Sequence, residues 1–152
     1  MVAEKLLIKN LKQGREEAYR QLIEEYGNKL LKTCCLILKD REEAEDVVQE
    51  TFIRVFNKIN TFKEQSGLYT WIYAIAINLS RDRIRIRQDI LELKDEWIGN
   101  EDVESQVEMN IDRELLRKEI FTMNSLYREI LVLFYFEELS IKEISNLLNE
   151  KE

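Results

Sequence analysis

Glu42, Asp46 and Glu50 recur at every fourth position, so on a helix they line a single face. Three carboxylates so placed suit Mg²⁺, or iron in a helical bundle whose Glu-x-x-His pairs complete the site. The chain has no histidine. That removes those pairs, the usual general base and the usual transition-metal ligand. A carboxylate metal enzyme, which would carry stoichiometric metal, is the weaker reading of this face.

A different chemistry is carried by "FKEQSGLYTWIYAIAINLSRDRIRIRQ". Arg81, Arg83, Arg85 and Arg87 close a helix, with Asp82 the only acid among them. They form two i, i+4 pairs, and Asn78 shares a stripe with Arg81 and Arg85. Just upstream, Phe62, Gly67 and Tyr69 lie on a loop, and Thr70 and Trp71 open the helix. Arginine and asparagine meet phosphates and base edges. Exposed aromatics stack on unpaired bases at about 1–3 kcal/mol per base, and a loop can receive a base drawn out of the stack. The same residues also fit a second description, with the aromatics in the core and the arginines suiting a helix C-terminus. Trp71, Ile72, Ile75, Leu79 and Ile86 are the expected buried face of this helix.

A third pattern lies in "REEAEDVVQETFIRVFNKI". Ala44, Val47, Val48, Thr51, Phe52 and Val55 make a broad apolar stripe for the core. The opposite face holds Asp46, Gln49, Glu50, Ile53 and Asn57. A polar rim around one isoleucine suits a protein interface, and an ordinary solvated face with one stray isoleucine is the other reading.

The elements that must position these residues read as helices throughout. The chain has 152 residues, no proline and only four glycines, so long uninterrupted helices are expected. It is 45% hydrophobic and 35% charged, a globular composition with a rich charged surface. Helices are expected over residues 2–12, 15–38, 41–59, 70–87, 111–122, 125–137 and 141–150, with 60–69 a loop. Asp40 and Glu43 make a D-x-x-E capping box at the start of the third helix. Residues 88–110 hold eight acidic residues and one lysine and read as a tether. The net charge of −7 argues against a nonspecific nucleic-acid binder, but this tether accounts for much of it. Cys34 and Cys35 are helical neighbours whose side chains point about 100° apart, which suits small buried hydrophobes rather than a disulfide or metal site. No run approaches a membrane span and the N-terminus has no signal-peptide core, so a cytoplasmic protein without membrane insertion is expected.

The chain ends in "LSIKEISNLLNEKE", where Ser140 and Glu143 form a capping box and Ile141, Ile144, Leu147 and Leu148 an apolar stripe.

Three stretches, "DREEAEDVVQETFIRVF", "FKEQSGLYTWIYAIAINLSRDRIR" and "YREILVLFYFEELSIKEIS", together resemble the extracytoplasmic-function (ECF) group of bacterial RNA polymerase sigma factors, in the sigma-70 family. The resemblance covers nearly the whole chain, and its most specific parts are Asp46, Gln49 and Phe52 and the stretch from Thr70 to Asn78. It implies an all-α chain: sigma region 2 over residues 1–88, an acidic linker over 89–110, and a partial, three-helix region 4 over 111–152. It implies a non-enzymatic transcription initiation factor with no cofactor, which directs the polymerase core to promoters by recognising and melting the minus-ten element. Asp46, Gln49, Glu50, Ile53 and Asn57 would dock on the clamp helices of the polymerase largest subunit. The loop bearing Phe62, Lys63, Ser66 and Tyr69 would capture a flipped base of promoter DNA, with Trp71 either core or a support for the melted edge. Asn78 and Arg81 would contact the upstream part of the element, with Arg85 on phosphates. An anti-sigma factor is an expected further partner.

Two departures stand out. Asn124 occupies a place where the family often has proline. "SIKEISNLL" corresponds to the first helix of the family's helix-turn-helix, while the turn and recognition helix have no counterpart, so an unsupported, fraying C-terminal end is expected. The alternative reading is a sigma-like interaction module that binds polymerase or an anti-sigma partner without supporting initiation.

Overall fold

A computed structural model describes residues 2–94 and 111–152. Its helices are α1 (Val2–Lys12), α2 (Glu16–Leu38), α3 (Arg41–Lys58), α4 (Leu68–Lys94), α5 (Ile111–Thr122), α6 (Ser125–Leu131) and α7 (Ile141–Leu148). A 3₁₀ turn, Ile59–Thr61, follows α3, and a π-helical turn, Val132–Phe136, follows α6. The described residues contain no strand.

Short-range chemistry sets most of the boundaries. Gly14, at φ 71°, takes the left-handed backbone that ends α1. Asp40 caps α3 by accepting from the Glu43 amide at 3.0 Å. Asn124 caps α6 by accepting from the Leu126 amide at 3.0 Å, so the asparagine supplies a side-chain acceptor at the helix start. The Ser140–Glu143 box is complete in both directions. Ser140→Ala is expected to destabilise the fold by about 1 kcal/mol, read by chemical denaturation.

Helices α2, α3 and α4 enclose the main core. Leu22, Leu30 and Ile37 of α2 meet Val47 and Val55 of α3 and Ile72, Ala76 and Ile77 of α4, all fully buried. Thr51, also fully buried, satisfies its hydroxyl on the Val47 carbonyl at 2.7 Å. Cys34 is fully buried, and burial pushes its thiol up to about 12, as suits an inert packing residue.

Three expectations are corrected. Helix α4 runs on to Lys94, past its expected end at Arg87 and into the expected tether, the rest of which lies outside the described residues. Ile86, expected to be buried, is 56% exposed. Beyond Ser80 the helix outruns the α2–α3 core, and Ile84 is the residue that still packs inward. The C-terminal end is not unsupported: Ile144 and Leu148 join the same buried cluster as α2 and α4, Leu147 packs against it, and only Ile141 of that stripe stays exposed.

The C-terminal helices are also fastened to the first four by polar contacts. Arg128 Nη2 of α6 donates to the Ile37 carbonyl at the end of α2 (2.7 Å), next to the Leu38 carbonyl that Arg87 Nη1 of α4 holds (3.0 Å). Cations at a helix C-terminus satisfy orphan carbonyls and the negative end of its dipole. Lys39 donates to the Phe121 carbonyl, and Thr33 to the Glu137 carboxylate.

Candidate functional site

The outer face of α3 carries Asp46, Gln49, Ile53 and Asn57, all exposed, with Ile53 at 60%. Glu50 differs. It is half-buried and turned along the surface, 2.8 Å from Arg54 and 4.0 Å from Arg83 of α4. The carboxylate row of Glu42, Asp46 and Glu50 does not converge, and among the described residues no group of three ligating side chains could hold a metal ion. The structure adds a residue that the pattern missed. Phe56 is 58% exposed, with its ring 4.9 Å from Tyr19. Ile53 and Phe56, at i, i+3, make one apolar knob rimmed by Gln49 and Asn57. That spacing was the available signal.

The loop between α3 and α4 is organised differently from the expectation. Phe62 is 4% exposed and packs 5.0 Å from Trp71 at an interplanar angle of 36°. The 3₁₀ turn directs the chain inward here, so the Phe62 ring anchors the loop and is not available to stack on a base in this arrangement. Tyr69 is likewise engaged. It stacks on Tyr26 at 4.5 Å, meets Tyr73 edge-on at 4.3 Å and donates its hydroxyl to Tyr73. Tyr73 is fully buried and shares a hydrogen bond with Thr33 at 3.1 Å. Burial, followed by Glu25, pushes Tyr26 up to about 12, and burial raises Tyr69 and Tyr73 further. These phenols stay neutral and act as packing with a polar handle. What the loop offers to solvent is Lys63 through Gly67, including Lys63 and Ser66. Trp71 is half-buried against Phe62.

Along α4 the basic stripe is mostly spoken for. Asn78 is exposed. Arg81 gives Nε to the Glu129 carboxylate at 3.0 Å and Nη1 to the Leu148 carbonyl at 3.0 Å. Arg83 faces Glu50, and Arg87 holds Glu43 together with the end of α2. Among the described residues Arg85 has only a local partner, Asp82 at 3.0 Å, and both side chains are exposed. A cleft of about 250 Å³ is lined by Arg81, Arg85 and Gln88 of α4 and by Ser125, Leu126 and Glu129 of α6. Glu129, with its side chain only 3% exposed, was not foreseen as part of this surface. Burial raises its pKa against the pull of Arg81 and Arg128.

Among the described residues no helix is long and apolar enough to cross a membrane. The sigma-70 region 2 family matches residues 22–89, which run from within α2 through α3 and the whole loop into α4. The ECF RNA polymerase sigma factor SigW of Bacillus subtilis (strain 168) is 32% identical over 155 residues, covering 93% of this chain and 83% of the relative. The ECF RNA polymerase sigma-E factor of Haemophilus influenzae is 27% identical over 161 residues, covering 97% of this chain and 85% of the relative. Among solved structures, the sigma factor RpoE in complex with the anti-sigma factor NepR from Bartonella quintana superposes with a TM-score of 0.76 at 19% identity, covering 88% of this chain and 84% of that one. CnrH in complex with the cytosolic domain of CnrY gives a TM-score of 0.70 at 21% identity, covering 98% of this chain and 84% of that one. An all-helical fold, the region 2 match and a relative of this identity over this length agree, and the chain belongs to the ECF sigma factors, non-enzymatic transcription initiation factors of RNA polymerase.

Proposed function

We propose that this chain is a cytoplasmic initiation factor that docks on the clamp helices of the polymerase largest subunit and recognises and melts the minus-ten element. The observation that carries the reading is the exposed Ile53–Phe56 knob with Asp46, Gln49 and Asn57 around it. An apolar centre with a polar rim is the form of a protein interface. The exposed loop Lys63–Gly67, Asn78 and Arg85 lie on the DNA-facing side of this reading, with Trp71 at its edge. No chemistry is required of the chain. Capturing an unstacked base offsets the few kcal/mol that flipping it costs. On this reading residues 1–88 are the region 2 unit, 89–110 the acidic linker, which begins within α4, and 111–152 the region 4 piece.

Arg81 can meet DNA only by giving up Glu129 and Leu148. That engagement favours a second reading, a module that binds polymerase or an anti-sigma partner without driving initiation. The structural neighbour RpoE, solved in complex with the anti-sigma factor NepR, adds support for an anti-sigma partner. Core-polymerase capture followed by in-vitro transcription on a promoter library separates the cases. Specific transcripts support the first reading, core binding without transcripts supports the second, and no core binding overturns the first and leaves only the anti-sigma form of the second.

A further inference from the structure

Helix α1 takes no part in the surfaces described above, yet one of its stripes is joined to the loop between α3 and α4 at both ends. Glu4, Ile8 and Lys12 stand at i, i+4 and i+8, so a carboxylate, an apolar anchor and an ammonium group share one face. Ile8 is 4% exposed and seats that face in the core, with Leu7 at 5% and Leu11 at 1% beside it. Glu4 Oε1 accepts from the amide of Leu68, the first residue of α4, at 3.1 Å. This amide is one of the four at a helix start that have no partner within the helix, and a carboxylate there also meets the positive end of the dipole. At the other end of the stripe, Lys12 Nζ donates to the Phe62 carbonyl at 3.1 Å and stands 3.4 Å from Glu64 Oε1. Eight residues of helix rise about 12 Å, enough to bridge the mouth of a short loop.

The residues between these two ties, Lys63 to Gly67, are all exposed. Glu64 adopts the left-handed region at φ 58°, which a non-glycine residue holds only when its surroundings impose it. Lys12 is the group that reaches it. Among the described residues Ser66 makes only a local contact, to the Gly67 carbonyl at 3.3 Å. Among the described residues, the long-range hydrogen bonds to this loop therefore come from α1.

We propose that Glu4 and Lys12 are positioning residues for base capture: they fix the two ends of the loop so that Lys63–Gly67 is held open for an unstacked base. The proposal rests on the base-capture reading above. A loop that must be ordered by its ligand gives up binding free energy to that ordering, whereas a loop already held at both ends does not. The exposed Lys12–Glu64 pair contributes little in itself. The weight falls on the Phe62 carbonyl and the Leu68 amide, which are backbone groups at fixed places in the fold.

The test uses the full chain assembled with core polymerase. The probe is a single-stranded oligonucleotide enriched from a random DNA pool by the wild-type holoenzyme, compared with the same strand made abasic at the captured position. The Glu4→Ala/Lys12→Ala variant is expected to lose about tenfold of the preference for the intact strand, with affinity for core polymerase unchanged. Glu4→Gln and Lys12→Arg, which keep an acceptor and a donor, are expected to retain it. Amide exchange at Leu68 is expected to quicken in Glu4→Ala and stay slow in Glu4→Gln. Full preference in the double alanine variant overturns the proposal, as does a parallel fall in core affinity, which would make α1 a general stabiliser. If the wild-type holoenzyme itself shows no preference, the base-capture reading fails and takes this proposal with it, an outcome visible in the wild-type arm alone.

Discussion

An Ile53→Arg chain is expected to bind core polymerase about 30-fold more weakly than wild type, or worse, while unfolding at the same denaturant concentration. The second half follows from exposure. Ile53 is 60% accessible in the free chain, so its loss removes little buried apolar area, and a surface change of this kind moves stability by no more than about 0.5 kcal/mol. The first half follows from position. Interface hot spots are apolar or aromatic anchors near the centre of a patch, and truncating one costs about 2 kcal/mol or more, which is about 30-fold in affinity. Arginine does more than truncate, because it brings a charge that must be desolvated on docking. Phe56→Ala is expected to fall in the same range, since Phe56 completes the knob. Asn57→Ala, on the rim, should change affinity by no more than a few-fold. Asp46→Arg inverts a rim charge and is expected to act mainly on the association rate and its salt dependence. Titration of core polymerase with each labelled variant reads all four. An Ile53→Arg chain that binds within threefold of wild type would show that docking uses another face.

How much of this was legible beforehand depends on the distance over which the deciding interaction acts. The caps at Asp40 and Ser140 act over three positions: the Ser140–Glu143 box is complete, while at Asp40 only the bond from the Glu43 amide is formed and the Glu43 carboxylate turns to Arg87. The inner stripe of α3 is a matter of period, and Ala44, Val47, Thr51 and Val55 are all buried. The exposure of the outer face of α3 was legible for the same reason, apart from Phe56, which was missed, and Glu50, which is half-buried against Arg54 and Arg83. Phe62 was not legible, because whether an aromatic beside a loop faces inward depends on where the 3₁₀ turn sends the backbone. The far end of α4 was obscured by composition: the helix continues into a charged segment with little apolar period, and it does so after leaving the core. Arg81 shows the limit most clearly. Its stripe with Asn78 and Arg85 marked it as free to meet DNA, but its carboxylate partner is Glu129, 48 residues on, and its carbonyl partner Leu148 is further still. The α1 ties to Phe62 and Leu68 cross 50 and 64 residues. No local pattern announces such pairs.

Arg81→Ala is therefore expected to act on the fold as well as on DNA. It strands the Glu129 carboxylate, whose side chain is 3% exposed, and leaves the Leu148 carbonyl at the end of α7 without its donor. Breaking a buried ion pair from one side costs about 3–5 kcal/mol, and the low end, about 3 kcal/mol, is expected because Arg81 is itself 29% exposed and Arg128 also attracts Glu129. Glu129→Gln should cost far less, since the amide still accepts from Arg81 and carries no charge to bury. The pH dependence distinguishes these cases. Burial raises the Glu129 pKa above its ordinary value of 4.5, so in the folded chain the protonated form is favoured. Between 4.5 and the folded value the folded chain holds more proton than the unfolded one, so the contribution of this group to stability falls as pH rises through that window. Arg81→Ala removes an attraction that opposes the shift, and is expected to widen the window and steepen the loss toward neutral pH. Glu129→Gln, alone or combined with Arg81→Ala, is expected to abolish that part of the pH dependence. The double variant should recover more than half of the loss caused by Arg81→Ala at pH 7. Denaturant unfolding of the four chains of this cycle at pH 5 and pH 7 measures the coupling directly. Losses that simply add at both pH values would mean that Arg81 and Glu129 do not hold α4 and α6 together.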